Sequence, residues 1–155
     1  MARPNFATAG LLALLVSLAA PALAADGGRV ANGAITLTDA TLKAMVPGAK
    51  VGGGAITIAN KGSEPDRLLS VSSPAAGMVE LHEMTMEGEV MRMRRIEGGI
   101  AIPPGGSVTL NGAQHLMFMK VAKPFETGER VPVTLTFEKA GPIETMFTVG
   151  SASGR

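Results

Sequence analysis

A short stretch, HEMTMEGEVMRM at residues 82–93, holds one histidine and four methionines in a chain that has no cysteine. Thioether sulfur and imidazole nitrogen are both ligands for soft metal ions. Methionine is also a flexible side chain that fills irregular gaps in an apolar core. The direction in which these side chains point decides between a metal site and a packing role.

The stretch has the pattern of a β-hairpin whose two-residue turn lies at residues 87–88. A turn centred there places His82 opposite Met93 and Met84 opposite Met91. Side chains alternate between the two faces of a strand, so His82 and the methionines are predicted to share one face.

Charged residues accompany the methionines on that predicted face, namely Glu80, Arg95 and Glu97. A core face does not carry three charges close together, so we expect the methionine face to point outward. The opposite face carries the candidate core residues Val79, Leu81 and Ile96.

A second cluster, QHLMFMK at residues 114–120, follows the same pattern. His115, Met117 and Met119 alternate with the bulky Leu116 and Phe118, which can pack inside. The two clusters hold both histidines and six of the ten methionines. An exposed apolar patch of this kind usually has a use, and the two candidates are metal binding and protein binding.

The spacing within the clusters suits one ion. Directly opposed residues have Cβ atoms ~5 Å apart, as expected for His82 and Met93. His115 and Met117 lie two residues apart on one strand, ~7 Å along it, and would reach the same ion if that strand end lies beside the hairpin. Two imidazoles and two thioethers make a neutral, soft set that favours Cu(I) over Zn(II) and excludes Mg²⁺ and Ca²⁺.

The elements that must position these residues are short strands. Turn signals recur about every ten residues and no long helical period is present, which predicts an antiparallel β-sandwich or barrel. The predicted strands lie at 34–45, 52–60, 66–73 and 79–97 (the hairpin), within GIAIPPGG at 99–106 (a short strand), and at 107–112, 115–123, 130–139 and 142–150. In the last two, the inward residues are predicted to be Val131, Val133, Leu135, Phe137, Ile143, Phe147 and Val149.

Two other motifs are expected to be structural. The sequence GGG at 52–54 is not followed by the Lys-Ser/Thr of a phosphate-binding loop, so it is predicted to be a bend before a strand. Asp66 and Arg67 are predicted to form a salt bridge in a loop.

Composition narrows the class of function. The chain has 155 residues and 46% hydrophobic content, which predicts one domain with a sizeable core. Phenylalanine is the only aromatic type, at 3%, so nothing supplies a stacking platform for nucleic acid. Without cysteine the protein is neither a thiol–disulfide enzyme nor a blue-copper carrier with a Cys ligand. No nucleophile arrangement is evident, and the sequence predicts no enzymatic activity.

Residues 1–24 have the pattern of a secretory signal: Arg3, the apolar run LLALLVSLAA and an ALA cleavage site. The run is shorter than the ~20 apolar residues that span a bilayer, and Pro21 interrupts it. We therefore expect an exported protein without stable membrane insertion, whose mature part at 25–155 is a single domain.

The ligand spacing is specific. Ten residues separate His82 from Met93, twenty-one separate Met93 from His115, and one separates His115 from Met117. This pattern resembles the H-(x)10-M-(x)21-H-x-M signature of the periplasmic copper chaperone family called PCuAC. The neighbouring sequences NKGSEPDRLLSVSS, VELHEM and IPPGGSVTL are also similar to that family, and the resemblance covers roughly residues 34–149.

The resemblance implies a cupredoxin-like, immunoglobulin-like Greek-key β-sandwich that binds one Cu(I). The implied ligands are His82, Met93, His115 and Met117, with Met84 as an auxiliary ligand. The implied partner is a copper-accepting oxidase subunit or another oxidase-assembly chaperone, reached in the periplasm by a monomeric carrier. The tail GSASGR lacks the His and Met residues with which some relatives hold Cu(II).

Two other functions remain open. One is a β-sandwich interaction module whose methionine patch binds a protein. The other is a copper redox enzyme or electron carrier, against which the absence of cysteine and of a third histidine argues.

Overall fold

The computed structural model describes residues 29–150, and all regular elements in this range are β-strands. They are β1 Val30–Asn32, β2 Ile35–Lys43, β3 Val51–Asn60, β4 Asp66–Ser72, β5 Ala76–Glu87, β6 Val90–Arg95, β7 Ile100–Ile102, β8 Ser107–Leu110, β9 Gln114–Val121, β10 Arg130–Phe137 and β11 Gly141–Gly150. The predicted signal at 1–24 lies outside the described residues. Within residues 29–150 there is no helix long and apolar enough to cross a membrane.

Seven strands form a closed ring in the order β2, β11, β10, β4, β5, β9 and β3, with β3 pairing back to β2. The other four strands attach to this ring: β1 to β2, β6 to β5, β7 to β4 and β8 to β3. The predicted all-β sandwich is confirmed. One pairing departs from the antiparallel expectation, because β11 runs parallel to β2.

The strand alternation produces the core. Along β10 the four residues predicted to face inward are at most 2% exposed: Val131, Val133, Leu135 and Phe137. Phe118 of β9 packs edge-on against Phe125 and Phe147, with ring centres 5.8 and 6.1 Å apart. Burying a side chain of this size contributes about 1.5–3 kcal/mol, so this aromatic cluster stabilises the sheets directly beneath the outward face of β9.

The three glycines at 52–54 lie inside β3, so the prediction of a bend before the strand is wrong. Gly54 faces the core, where an added Cβ would lie 2.8 Å from the Phe118 ring. Gly53 faces outward, where an added Cβ would meet nothing within 4 Å. The glycines thus make room for the phenylalanines on one side and leave an open surface on the other.

Asp66 does not form the predicted salt bridge with Arg67. Its carboxylate accepts backbone N–H bonds from Arg67, Lys139 and Ala140 at 2.7, 2.9 and 3.0 Å. Burial favours the neutral acid, but the three N–H bonds and the Lys139 charge outweigh it, and the pKa of Asp66 is lowered below 3.8. The Arg67 guanidinium donates instead to the Gly98 carbonyl. Asp66 therefore ties the start of β4 to the β10–β11 turn.

Candidate metal site

The β5–β6 hairpin presents the first methionine cluster. Met84 lies opposite Met93 and Met86 opposite Met91, so the predicted pairing of His82 with Met93 is wrong. The turn consists of Gly88 and Glu89, one residue later than predicted, because Gly88 takes the positive φ of 66° that leads this kind of two-residue turn. Each pairing moves by two residues, an even number, and the predicted faces are therefore unchanged.

Strand β9 lies on the other side of β5 and brings the second cluster beside the first. His82 is directly opposite His115, and Met117 lies between Glu80 of β5 and Gly53 of β3. The alternating residues Leu116 and Phe118 are fully buried. The condition for a shared site, that the β9 strand end lies beside the hairpin, is met.

A cleft of about 350 Å³ opens on this surface. Its lining includes Met84 and Met93 from the hairpin and His115 and Met117 from β9. The rest of the lining is supplied by small and polar residues of β2, β3 and the loop before β9: Thr41, Lys43, Gly53, Gly54, Ala55, Asn111 and Gly112. The structure thus brings three of the four predicted ligands, and Met84, around one space.

His82 lies next to this lining, with its ring centre 6.2 Å from that of His115. Metal–nitrogen bonds are ~2 Å long, so rings at this separation are close to the arrangement in which both reach one ion. The Nε2 atom of His82 is 2.8 Å from the Glu80 carboxylate, whereas Nδ1 is enclosed and has no hydrogen-bond partner. With the proton on Nε2, the unpartnered Nδ1 carries the lone pair that a metal needs.

Glu80 was noted in the sequence only as a charge on the methionine face. In the structure it accepts the His82 hydrogen bond and also lies 3.7 Å from the Arg95 guanidinium. The hydrogen bond from His82 lowers the pKa of Glu80, partial burial opposes this, and the charge of Arg95 assists it. An i, i+2 spacing puts both side chains on one strand face, and this was the signal available in the sequence.

His115 is oriented by the backbone. Its Nδ1 lies 3.2 Å from the Gly112 carbonyl oxygen, an acceptor, so Nδ1 carries the proton in this bond. Nε2 is then left with the lone pair. A hydrogen bond at one ring nitrogen that fixes the other for coordination is the usual arrangement around histidine ligands.

The available donors are neutral and soft. Within residues 29–150 no group of three His, Asp or Glu side chains could hold a metal ion, so the residues do not form a carboxylate site. Met119 is paired with Met78 and Val51, away from the cleft lining. A cleft lined by thioethers and one imidazole, with a second imidazole beside it, suits a soft monovalent ion better than Zn²⁺, Mg²⁺ or Ca²⁺.

The sequence of this chain is similar to those of known proteins. The sequence model of the family described as "Putative lipoprotein LpqE-like" matches residues 35–149. A relative described as "Putative lipoprotein Lxx21020", from Leifsonia xyli subsp. xyli, is 30% identical over 135 residues, which cover 86% of this chain and 80% of the relative.

Two solved structures share the fold. The copper-bound PCuAC domain from PmoF2 matches with a TM-score of 0.69 and 27% identity over 79% of this chain and 97% of that domain. The solution structure of CuI-DR1885 from Deinococcus radiodurans matches with a TM-score of 0.56 and 25% identity over 79% of this chain and 80% of that one. The resemblance to PCuAC domains and the predicted cupredoxin-like sandwich are confirmed.

Proposed function

The chain belongs to the LpqE-like family, and on that premise we propose that it is a Cu(I) carrier and not an enzyme. The two solved structures above, one copper-bound and one with Cu(I), support copper as the cargo. The proposed ligands are two histidines and two methionines, with Met84 as an auxiliary: His82, Met93, His115 and Met117.

The observation that carries this proposal is the donor set around the cleft. Thioethers from the β5–β6 hairpin and from β9 line the cleft together with His115. The enclosed Nδ1 of His82 has no hydrogen-bond partner. A buried polar atom without a hydrogen bond is costly, and a metal bond would satisfy it. Carboxylates are missing from the lining, which favours a soft cation over a hard one.

The position of the site suits transfer. Met93 is 51% exposed, so ligands of a recipient can approach one side of the ion while the histidines still hold the other. We propose that the protein acts in the periplasm after removal of residues 1–24, as a single domain at 25–155. The proposed recipient is a copper-accepting subunit of cytochrome c oxidase or another copper chaperone of its assembly. We propose that the protein delivers the ion as a monomer.

A protein-interaction module is the second candidate, and the exposure of Met86 and Met91, 62% each, favours it. Native mass spectrometry separates the two. A carrier takes up Cu(I), with one ion per chain in the cleft, whereas an interaction module takes up none.

Titration of Cu(I) against a chelator of known affinity tests the ligand assignment. We expect His115→Ala and Met93→Ala to bind Cu(I) much more weakly than the wild type. Met78→Ala, which removes an exposed methionine outside the cleft, is the matched control and should bind normally. X-ray absorption at the copper edge should show nitrogen and sulfur neighbours. A copper shell without sulfur would rule the assignment out.

A further inference from the structure

A second pair of methionines lies at the tip of the hairpin. Met86 and Met91 are directly opposed across β5 and β6, and each side chain is 62% exposed. They form the row next to Met84 and Met93, two residues further along both strands and therefore ~7 Å away. Neither lines the cleft.

Folding does not explain these two residues. Exposed strand positions favour threonine and other β-branched residues, and the outward positions of β10 include Thr134 and Thr136. At the tip the chain uses methionine, which is not enriched in strands and leaves apolar surface uncovered. What methionine offers beyond threonine or leucine is a thioether sulfur.

Next to the tip, the charged strand residues of the hairpin lie on its other face, whereas Arg95 shares the methionine face but lies beyond Met84 and Met93. On the other face, Glu87 forms ion pairs with Arg92 and Arg94. The face of Met86 and Met91 is therefore a continuous, uncharged row of sulfur side chains that leads from the tip into the cleft. This arrangement suits a cation that binds sulfur, because no arginine lies on this face between the tip and the cleft.

We propose that Met86 and Met91 form a second, weaker Cu(I) site, an entry point through which the ion passes to and from the cleft. The inference rests on the proposed function. Opposed strand residues have Cβ atoms ~5 Å apart, which lets two flexible methionines reach one ion. Transfer to Met84 and Met93 exchanges one thioether for another. Copper stays Cu(I) and no proton moves, since thioethers are neutral.

A titration followed by NMR tests binding at the tip. The methionine methyl groups of the wild-type protein are labelled with ¹³C, and Ag(I), a redox-inert substitute for Cu(I), is added. We expect the first equivalent to shift the cleft methyls and the second to shift Met86 and Met91. The second ion binds more weakly because it has two donors and is repelled by the first.

The double variant Met86→Leu/Met91→Leu keeps the side-chain volume and removes the sulfur. It should keep the first binding event and lose the second. The matched control is Met78→Leu/Met119→Leu, another opposed methionine pair on the same face, which should keep both events. Tip methyls that do not respond to the second equivalent, or a control that loses it equally, would overturn the second site.

Loading kinetics test the entry role. Cu(I) supplied from a small chelate complex should load the tip double variant several-fold more slowly, with an unchanged equilibrium affinity of the cleft. An unchanged loading rate would overturn the entry role. A variant that loads normally from the chelate but transfers Cu(I) more slowly to a protein acceptor would also overturn it, since the patch would then serve protein docking. A wild-type protein whose cleft binds no Cu(I) at all would instead overturn the proposed function, so the two failures are distinct.

Discussion

Glu80 shows how one side chain outside the cleft can orient a proposed metal ligand. Its carboxylate lies 2.8 Å from Nε2 of His82, and this bond leaves Nδ1 as the nitrogen available to an ion. Carboxylate partners of this kind fix the tautomer and the ring direction of metal-binding histidines. At the scale of the residue, the proposed site therefore depends on which nitrogen carries the proton as much as on which residues are present.

We predict that Glu80→Ala weakens Cu(I) binding by about 10–100-fold, the usual effect of losing such a partner. Glu80→Gln should recover part of the affinity, because its amide oxygen can still accept the His82 bond. Glu83→Ala is the control, since Glu83 lies on the opposite face of β5. Competition titrations with a Cu(I) chelator measure all three. Equal affinities for Glu80→Ala and Glu83→Ala would remove Glu80 from the site.

At the scale of the element, several strand faces could be predicted from the alternation of apolar and polar residues. In β10 every second residue is apolar and buried, and in β9 Leu116 and Phe118 follow the same alternation, so the inward and outward residues of these strands could be predicted. Strand β6 is exposed on both faces. The register of the hairpin could not be predicted, because turns at 87–88 and at Gly88 and Glu89 give the same faces and differ only in pair identity.

Some features of the fold and of the site could not be predicted from the sequence either. Strand β1 is only three residues long and lies at the margin of the sheet, so it has too little pattern to recognise. The parallel pairing of β2 with β11 joins distant parts of the chain, and no local signal specifies it. The Glu80–His82 bond was available in the i, i+2 spacing, but its partner atoms depend on side-chain rotation, which the sequence does not fix.

Two neighbouring glycines of β3 should respond differently to the same methyl group. Gly54→Ala places a Cβ 2.8 Å from the Phe118 ring and 3.0 Å from Leu42, and overpacking of this kind costs about 1–3 kcal/mol. Gly53→Ala meets open space and should change stability by less than ~0.5 kcal/mol. Chemical denaturation measures both free energies of unfolding. Similar values for the two variants would contradict the assignment of their faces.

The tie made by Asp66 should give a pH-dependent stability. Because the folded-state pKa is below the ordinary 3.8, the carboxylate stabilises the fold fully above that value, and the contribution is lost as pH falls further through the folded-state pKa. Asp66→Asn should cost about 1–3 kcal/mol at pH 7, since it leaves backbone N–H groups short of acceptors. Unfolding free energies should converge for the wild type and the variant in acid. A difference that stays constant from neutral pH to pH 2 would contradict this role.

At the scale of the whole molecule, the core and the cleft are separate. The ring of seven strands closes around a largely apolar core, whereas the proposed ligands lie on the outside of β5, β6 and β9. Metal binding is therefore not needed to complete the core. This differs from small metal-dependent domains, in which the free energy of metal binding is the free energy of folding.

We predict that the copper-free protein is folded and that Cu(I) raises its melting temperature. Binding to the native state alone adds about 4.1 kcal/mol at a free ligand concentration of 1,000 Kd. Copper-free Met93→Ala and His115→Ala should melt close to the copper-free wild type and gain little from Cu(I). Phe118→Ala, a core control, should cost about 3–5 kcal/mol. Circular dichroism melts measure each case, and a Met93→Ala variant as unstable as Phe118→Ala would show that the methionines belong to the core.

The exposure of the hairpin methionines has a consequence for oxidative chemistry. Met86, Met91 and Met93 are 62%, 62% and 51% exposed, so peroxide can reach their sulfurs. A sulfoxide is polar and no longer a soft thioether, and its formation is reversible by reductases. We expect dilute peroxide, followed by peptide mass spectrometry, to find oxygen on these three before the less exposed Met117. Bound Cu(I) should protect Met93. A chain without cysteine has no thiol that would be oxidised first. The methionine sulfurs proposed to bind the ion are therefore also the atoms that respond to oxidants around the protein.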